Sequence, residues 1–198
     1  MQIAPRLPST TVAEITVVLV GSFTPTIFQP AWFAVEDLLR KVEAEEVNNL
    51  VVHDEITQFS TEWLSLEVTR ERFIAKVKSD AYLQHLSDFV RGVIATLIHT
   101  PIQQLGTNVE LRVRFASSDD WHAFGHLLTP KTPWQVPDLK SPGLRNLNMQ
   151  YERMEGTEAG CTVIGVHPVL NTRTDVLFRV NDHYDSGGSR TPAEPNGH

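Results

Sequence analysis

An apolar run over residues 17–20, with Ile15 just before it, lies inside a β-branched segment that spans residues 14–23 and is closed by Gly21 and Ser22. Continuous apolarity of that kind predicts a strand buried on both faces, and hence central in a sheet. Pro25 and Pro30 punctuate the loop that follows. Beyond it Val35, Leu38, Leu39 and Val42 recur at i, i+3, i+4 and i+7, which predicts a helix over residues 31–47 with Pro30 in its first turn. Phe28, Trp32 and Phe33 near its start are expected to plug the core. Residues 49–59, 63–69 and 72–77 read as three strands, the second alternating Leu64, Leu66 and Val68 against Ser65, Glu67 and Thr69. Ser79 and Asp80 can cap a long helix over residues 81–99. Its stripe is Leu83, Leu86, Val90, Val93 and Leu97, and Thr100 and Pro101 mark its end.

From Asn108 the pattern starts again. Val109, Leu111, Val113 and Phe115 alternate with Glu110, Arg112 and Arg114, and then Ser117 and Asp120, at capping-box spacing, open a helix over residues 119–128. The two passages also rhyme in residues: a strand ending in Phe23 leads to Trp32-Phe33-Ala34 and Leu38-Leu39, and one ending in Phe115 leads to Trp121-His122-Ala123-Phe124 and Leu127-Leu128. Residues 144–154, 160–167 and 175–180 supply three more strands, so the order β-α-β-β-β recurs. The expectation is an α+β fold, with a mixed, mainly antiparallel sheet and helices on one side. It is a tandem duplication in a helix-grip or TATA-binding-protein-like layout. One domain, residues 13–185, holds the halves 13–100 and 106–185; residues 1–12 form an extension, and the Gly-, Pro-, Ser- and Asn-rich residues 186–198 a disordered tail.

Composition narrows the class. With 198 residues, 41% hydrophobic and 21% charged, the chain reads as an ordinary soluble globular domain. Seventeen Lys and Arg against 24 Asp and Glu leave a net charge of −7, which disfavours a grip on nucleic-acid phosphates or anionic lipid. No apolar run approaches the roughly 20 residues of a membrane span. Cys161 stands alone and the first residues lack the apolar core of a secretory signal, so a cytoplasmic setting is expected.

His122 and His126 lie four apart on the second-half helix, so both imidazoles project from one face and suit a shared zinc, with Asp119 or Asp120 nearby. The intervening Ala123-Phe124-Gly125 lacks the general-base glutamate of HExxH metalloproteases. Asp182 and His183, in the polar segment 181–185 just after the last expected strand, could complete such a site. His53, Asp54 and Glu55 divide between the two faces of an expected strand and read as solvated surface. Cys161, in a strand with no basic neighbour, reads as an inert thiol. The chain has no GxxxxGKS/T, GxGxxG or GxSxG pattern, so nucleotide binding and serine hydrolysis have no motif support. The outward positions Arg112, Arg114, Arg179 and Lys76 are expected on one sheet face with Glu67, Glu110, Asn148 and Gln150. Beside Trp63, that surface suits a peptide, a protein or a small anion.

The segment VLVGSFTPTIFQPAWF at residues 18–33 carries a resemblance, together with Thr100-Pro101-Ile102, Leu105-Gly106-Thr107-Asn108, the stretch Trp121 to His126, and Val180-Asn181-Asp182-His183-Tyr184. In these residues the chain resembles a family of uncharacterised bacterial proteins and is more distantly similar to a sporadically distributed bacterial family of unknown function. The resemblance implies a bacterial, soluble, non-housekeeping protein, and a patchy distribution suits a mobile-element or phage-defence setting. It transfers no catalytic residue. The reading that follows is a non-enzymatic binding or accessory module, without a cofactor. It engages a protein partner or itself through the sheet face with Trp63, Arg112, Arg114 and Arg179, or through the Pro-rich loop over residues 129–143. The alternative is a hydrolytic or structural divalent metal such as zinc, held by His122, His126, His183 and Asp182.

Overall fold

The computed structural model of the chain describes residues 8–140, 142–153 and 159–185. Among them nine strands form: β1 (Ser9–Gly21), β2 (Asn48–Val52), β3 (Ile56–Ser60), β4 (Ser65–Thr69), β5 (Arg72–Val77), β6 (Ile102–Arg114), β7 (Leu147–Glu152), β8 (Gly160–Pro168) and β9 (Asp175–Asp185). Four α-helices accompany them: α1 (Pro30–Val35), α2 (Lys41–Glu45), α3 (Leu83–Thr96) and α4 (Ser118–Leu128). The strands make one sheet in the order β2-β3-β4-β5-β1-β6-β9-β8-β7. Every neighbouring pair is antiparallel. The expected α+β class is therefore observed, with an antiparallel sheet in place of a mixed one. No helix among the described residues is long and apolar enough to cross a membrane.

The predicted central strand is β1, flanked by β5 and β6. Its Ile15, Val17 and Leu19 point to the helix side and are buried. On the same side lie Phe73, Ala75 and Val77 of β5 and Leu66 and Val68 of β4, covered by Leu86, Phe89, Val90 and Val93 of α3. Phe33 is fully buried at the middle of this layer, with ring centroids 5.3 Å from Phe89, 5.7 Å from Phe59 and 6.2 Å from Phe28. Burial of one such ring contributes on the order of 2–3 kcal/mol. Phe28 and Phe33 are core plugs, as their sequence positions suggest. Trp121, at the start of α4, is half-buried, and its indole N–H donates to the Asp175 carbonyl at 3.1 Å.

The expected helix over 31–47 is broken. Asp37 adopts a left-handed conformation (φ 55°), so the Leu38 N–H returns to the Phe33 carbonyl at 2.8 Å and the Asp37 N–H to the Ala34 carbonyl at 3.4 Å. These are the two bonds of a Schellman end. The turn drops Leu39 into the core, and the Glu43 carboxylate then accepts the Arg40 backbone N–H at 2.9 Å to start α2.

The expected strand over 49–59 is also two strands. His53 and Ile56 exchange backbone bonds of 2.8 and 3.2 Å around a two-residue turn, Asp54-Glu55, and Arg70 pairs with Glu55 at 2.8 Å. His53, Asp54 and Glu55 therefore form a turn instead of dividing between two strand faces. β1 begins at Ser9, so residues 9–12 belong to the sheet and not to an extension. β6 and β9 are longer than the alternation indicated. Polar residues 181–185 are held in β9 because β6 and β8 pair with the backbone on both sides. The tail 186–198 lies outside the described residues.

Gly21, inside the motif GSF, is required by a close approach: a Cβ there would fall 2.4 Å from the Pro101 carbonyl oxygen, which also accepts the Ser22 N–H at 3.2 Å. The glycine thus serves chain packing at the end of β1.

Candidate functional site

The pairing register places Arg112, Arg114 and Arg179 on the helix-free face, with Lys76, Glu67, Glu110, Asn148 and Gln150. Their charges are already matched. Arg179 pairs with Glu110 at 2.7 Å and Lys76 with Glu14 at 3.3 Å. Asp175, whose side chain has no exposed surface, receives two bonds of 2.9 Å from Arg114 and a contact of 3.4 Å from Arg112. The Arg114 bonds hold the Asp175 carboxyl below the usual carboxylate range, against the opposing pull of desolvation. Because the Trp121 indole bonds the carbonyl of the same residue, this cluster fastens α4 to the end of β9. The alternation of acids with bases along this face also denies it the one-sided positive field that phosphate binding needs.

Trp63 is elsewhere. It sits in the turn between β3 and β4, and its indole N–H points to the helix side, where Glu43 of α2 accepts it at 3.2 Å. There it lines a cleft of about 660 Å³ among the α1–α2 connection, α2, the β3–β4 turn and the start of α3. Ring centroids of Trp63, Tyr82 and His85 lie 6.0–6.1 Å from one another. Leu39 and Phe89 form an apolar floor, and Asp37, Glu43, Glu62 and Asp88 stand around it. Arg40 engages Glu43 at 2.8 Å; with this bond foremost, the Glu43 carboxyl titrates below its ordinary value. Sequence reasoning singled out Trp63 but not Tyr82, His85 or the acids. Their i, i+3, i+6 spacing at residues 82, 85 and 88 marks one face of a helix start, but nothing local indicates which turn it meets.

The four residues expected to hold a metal are not brought together. His122 and His126 are exposed on α4, which lies at the Asp175 end of β9. Asp182 and His183 lie about 23–26 Å further along that strand by its rise per residue, and they point to opposite faces. Asp120 is bonded to the capping Ser117 at 2.7 Å. Among the described residues no group of three or more His, Cys, Asp and Glu side chains could hold a metal ion. Asp182 instead accepts Thr162 at 2.6 Å, Tyr184 at 2.7 Å and Arg153 at 2.5 Å, and the Arg153 guanidinium lies 3.8 Å above the Tyr184 ring. Desolvation pushes the Asp182 carboxyl up, but these bonds outweigh it and hold the carboxyl below its ordinary value. His183 contacts Asp185 at 3.1 Å on the other face and stands directly across from Cys161. The thiol therefore has an imidazole neighbour that its own strand did not reveal.

The edge strand β2 is exposed along its whole length. All five of its residues, Asn-Asn-Leu-Val-Val, are exposed, none is charged, and Leu50, Val51 and Val52 keep 48%, 41% and 39% of their surface. It pairs with β3 alone, around a bulge at Asn49 (φ 54°). A scan against known protein families finds no match to this chain. A search of curated proteins finds none either.

Proposed function

We propose that the chain is a non-enzymatic binding or accessory module that works by self-association, the β2 edge of one copy pairing with β2 of another. The observation that carries this reading is the exposed, uncharged run Leu50-Val51-Val52 on the outermost strand. An unpaired edge offers a row of backbone donors and acceptors, and natural edges are commonly blunted with charge. With no charge in β2, antiparallel pairing of two identical edges meets no like-charge repulsion within the strand, and such pairing closes as a two-fold dimer. Light scattering after size-exclusion chromatography tests it. The expected result is a dimer for the natural chain and a folded monomer for Val51→Lys. A monomer at every concentration, or a dimer indifferent to Val51→Lys, overturns it; capture of a different protein by the same edge redirects it to a heteromeric partner.

We also propose that the two halves derive from one duplicated β-α-β-β-β unit in a TATA-binding-protein-like layout. Support comes from the strand order, in which β3-β4-β5-β1 is mirrored by β7-β8-β9-β6, and from one matched row. Val68, Phe73 and Leu19 face one another across β4, β5 and β1; Val166, Phe178 and Leu111 do so across β8, β9 and β6. The offset that carries Phe23 onto Phe115 also carries Thr16 onto Asn108, and these two pair with each other at the centre.

A further inference from the structure

We infer that the cleft at Trp63 is a binding site for a trimethylammonium head group. Four separate segments build it, and each brings what such a cation requires. The rings of Trp63, Tyr82 and His85, with centroids 6.0–6.1 Å apart, all line the cleft and give a cation an aromatic wall. The buried Leu39 and Phe89 beneath them accept methyl groups, which a strongly hydrated metal ion or a primary ammonium does not offer. Four carboxylates, Asp37, Glu43, Glu62 and Asp88, stand against one guanidinium, Arg40, which bonds Glu43 and is also attracted by Glu62. Asp37, Glu62 and Asp88 form no ion pair among the described residues, and Asp88 accepts only the Gln84 amide, at 2.9 Å. The cleft therefore presents net negative charge above an apolar, aromatic base. A volume of about 660 Å³ falls in the range of small-molecule sites.

The test is a titration of the full chain with choline chloride at constant ionic strength, read from the indole N–H resonance of Trp63 by heteronuclear NMR. Its uncharged isostere 3,3-dimethylbutanol serves as control. The expected result is a saturable shift with choline and none with the isostere, weakened about tenfold in Glu62→Gln/Asp88→Asn. These two surface substitutions leave the core untouched, and Tyr82→Leu gives a second reading from the aromatic side. Equal shifts from choline and the isostere would reduce the cleft to an apolar pocket and overturn the inference. So would the absence of any shift, or an unchanged affinity in the doubly neutralised variant. A peptide carrying trimethyl-lysine separates the two sources of the head group: tighter binding of the peptide assigns it to a modified protein, and tighter binding of choline to a free small molecule.

Discussion

Val77 and Asp182 hold matching places on the helix side of the sheet. Each lies four residues beyond a phenylalanine, Phe73 or Phe178, flanked by a leucine of the central strand pair and a valine of the next strand. Val77 is buried beside α3; Asp182 is ringed by Thr162, Tyr184 and Arg153. One half thus keeps an apolar surface that a long helix can cover, while the other fills the same place with hydrogen-bonded polar groups. Asp182→Ala is expected to destabilise the fold by about 1–3 kcal/mol, because it strands three donors, one of them charged. Urea unfolding measures this, and a change under half a kcal/mol would assign the cluster to solvent.

Acid should erode the fold through Asp182 and two other bonded carboxylates. Glu43, Asp175 and Asp182 all titrate below their ordinary values in the folded chain. The unfolded chain therefore binds more protons in the window between the two sets of pKa values, and stability rises with pH there. Their contribution is whole above the ordinary carboxylate range of roughly pH 4 and is lost as pH falls through the lower folded values. Thermal unfolding between neutral and acidic pH should show this slope, and Asp175→Asn/Asp182→Asn should flatten it. An identical acid slope in that variant would mean that other groups control acid unfolding.

Phe33→Ala is expected to cost about 3–5 kcal/mol, since its ring is fully buried among three other phenylalanines. Phe124→Ala should cost less, because Phe124 of the half-buried α4 packs on Phe115 and Phe178 at 5.1 and 6.0 Å without a second helix above it. Equal losses in denaturant titrations would contradict this ranking.

Much of this architecture was legible in side-chain periodicity, and the exceptions have physical causes. Buried β-branched residues in β1 and the stripe of α3 are strong signals, because each is repeated over several turns or pleats. The break after α1 leaves no mark, since aspartate instead of glycine takes the left-handed position and Leu38 and Leu39 still satisfy a helical spacing. The polar end of β9 reads as a loop because its strand character is imposed by β6 and β8. The shared face of Arg112, Arg114 and Arg179 follows from alternation, but their carboxylate partners belong to pairings that alternation does not specify. Trp63 was separable from that face only by knowing how the β3–β4 turn bends.

Amide exchange should divide the sheet unevenly. Leu66 and Val68 of β4 are sealed under α3, whereas β7 is an edge strand with five of its six residues exposed. Protection is therefore expected to be greater in β4 than in β7, which opens in local fluctuations. Uniform protection across both strands would show that the sheet opens only as a whole.

The central position of β1 has a consequence for synthesis. This strand is made before the other eight described strands, yet its two partners, β5 and β6, begin only at Arg72 and Ile102. Once β5 has docked, the other edge of β1 stays open until the next thirteen-residue strand is translated. A nascent chain stalled in that interval displays a long, β-branched, unpaired edge from the middle of the future sheet, the kind of surface that recruits holdase chaperones or seeds aggregation. Translation rate between α3 and β6 thereby becomes a determinant of yield.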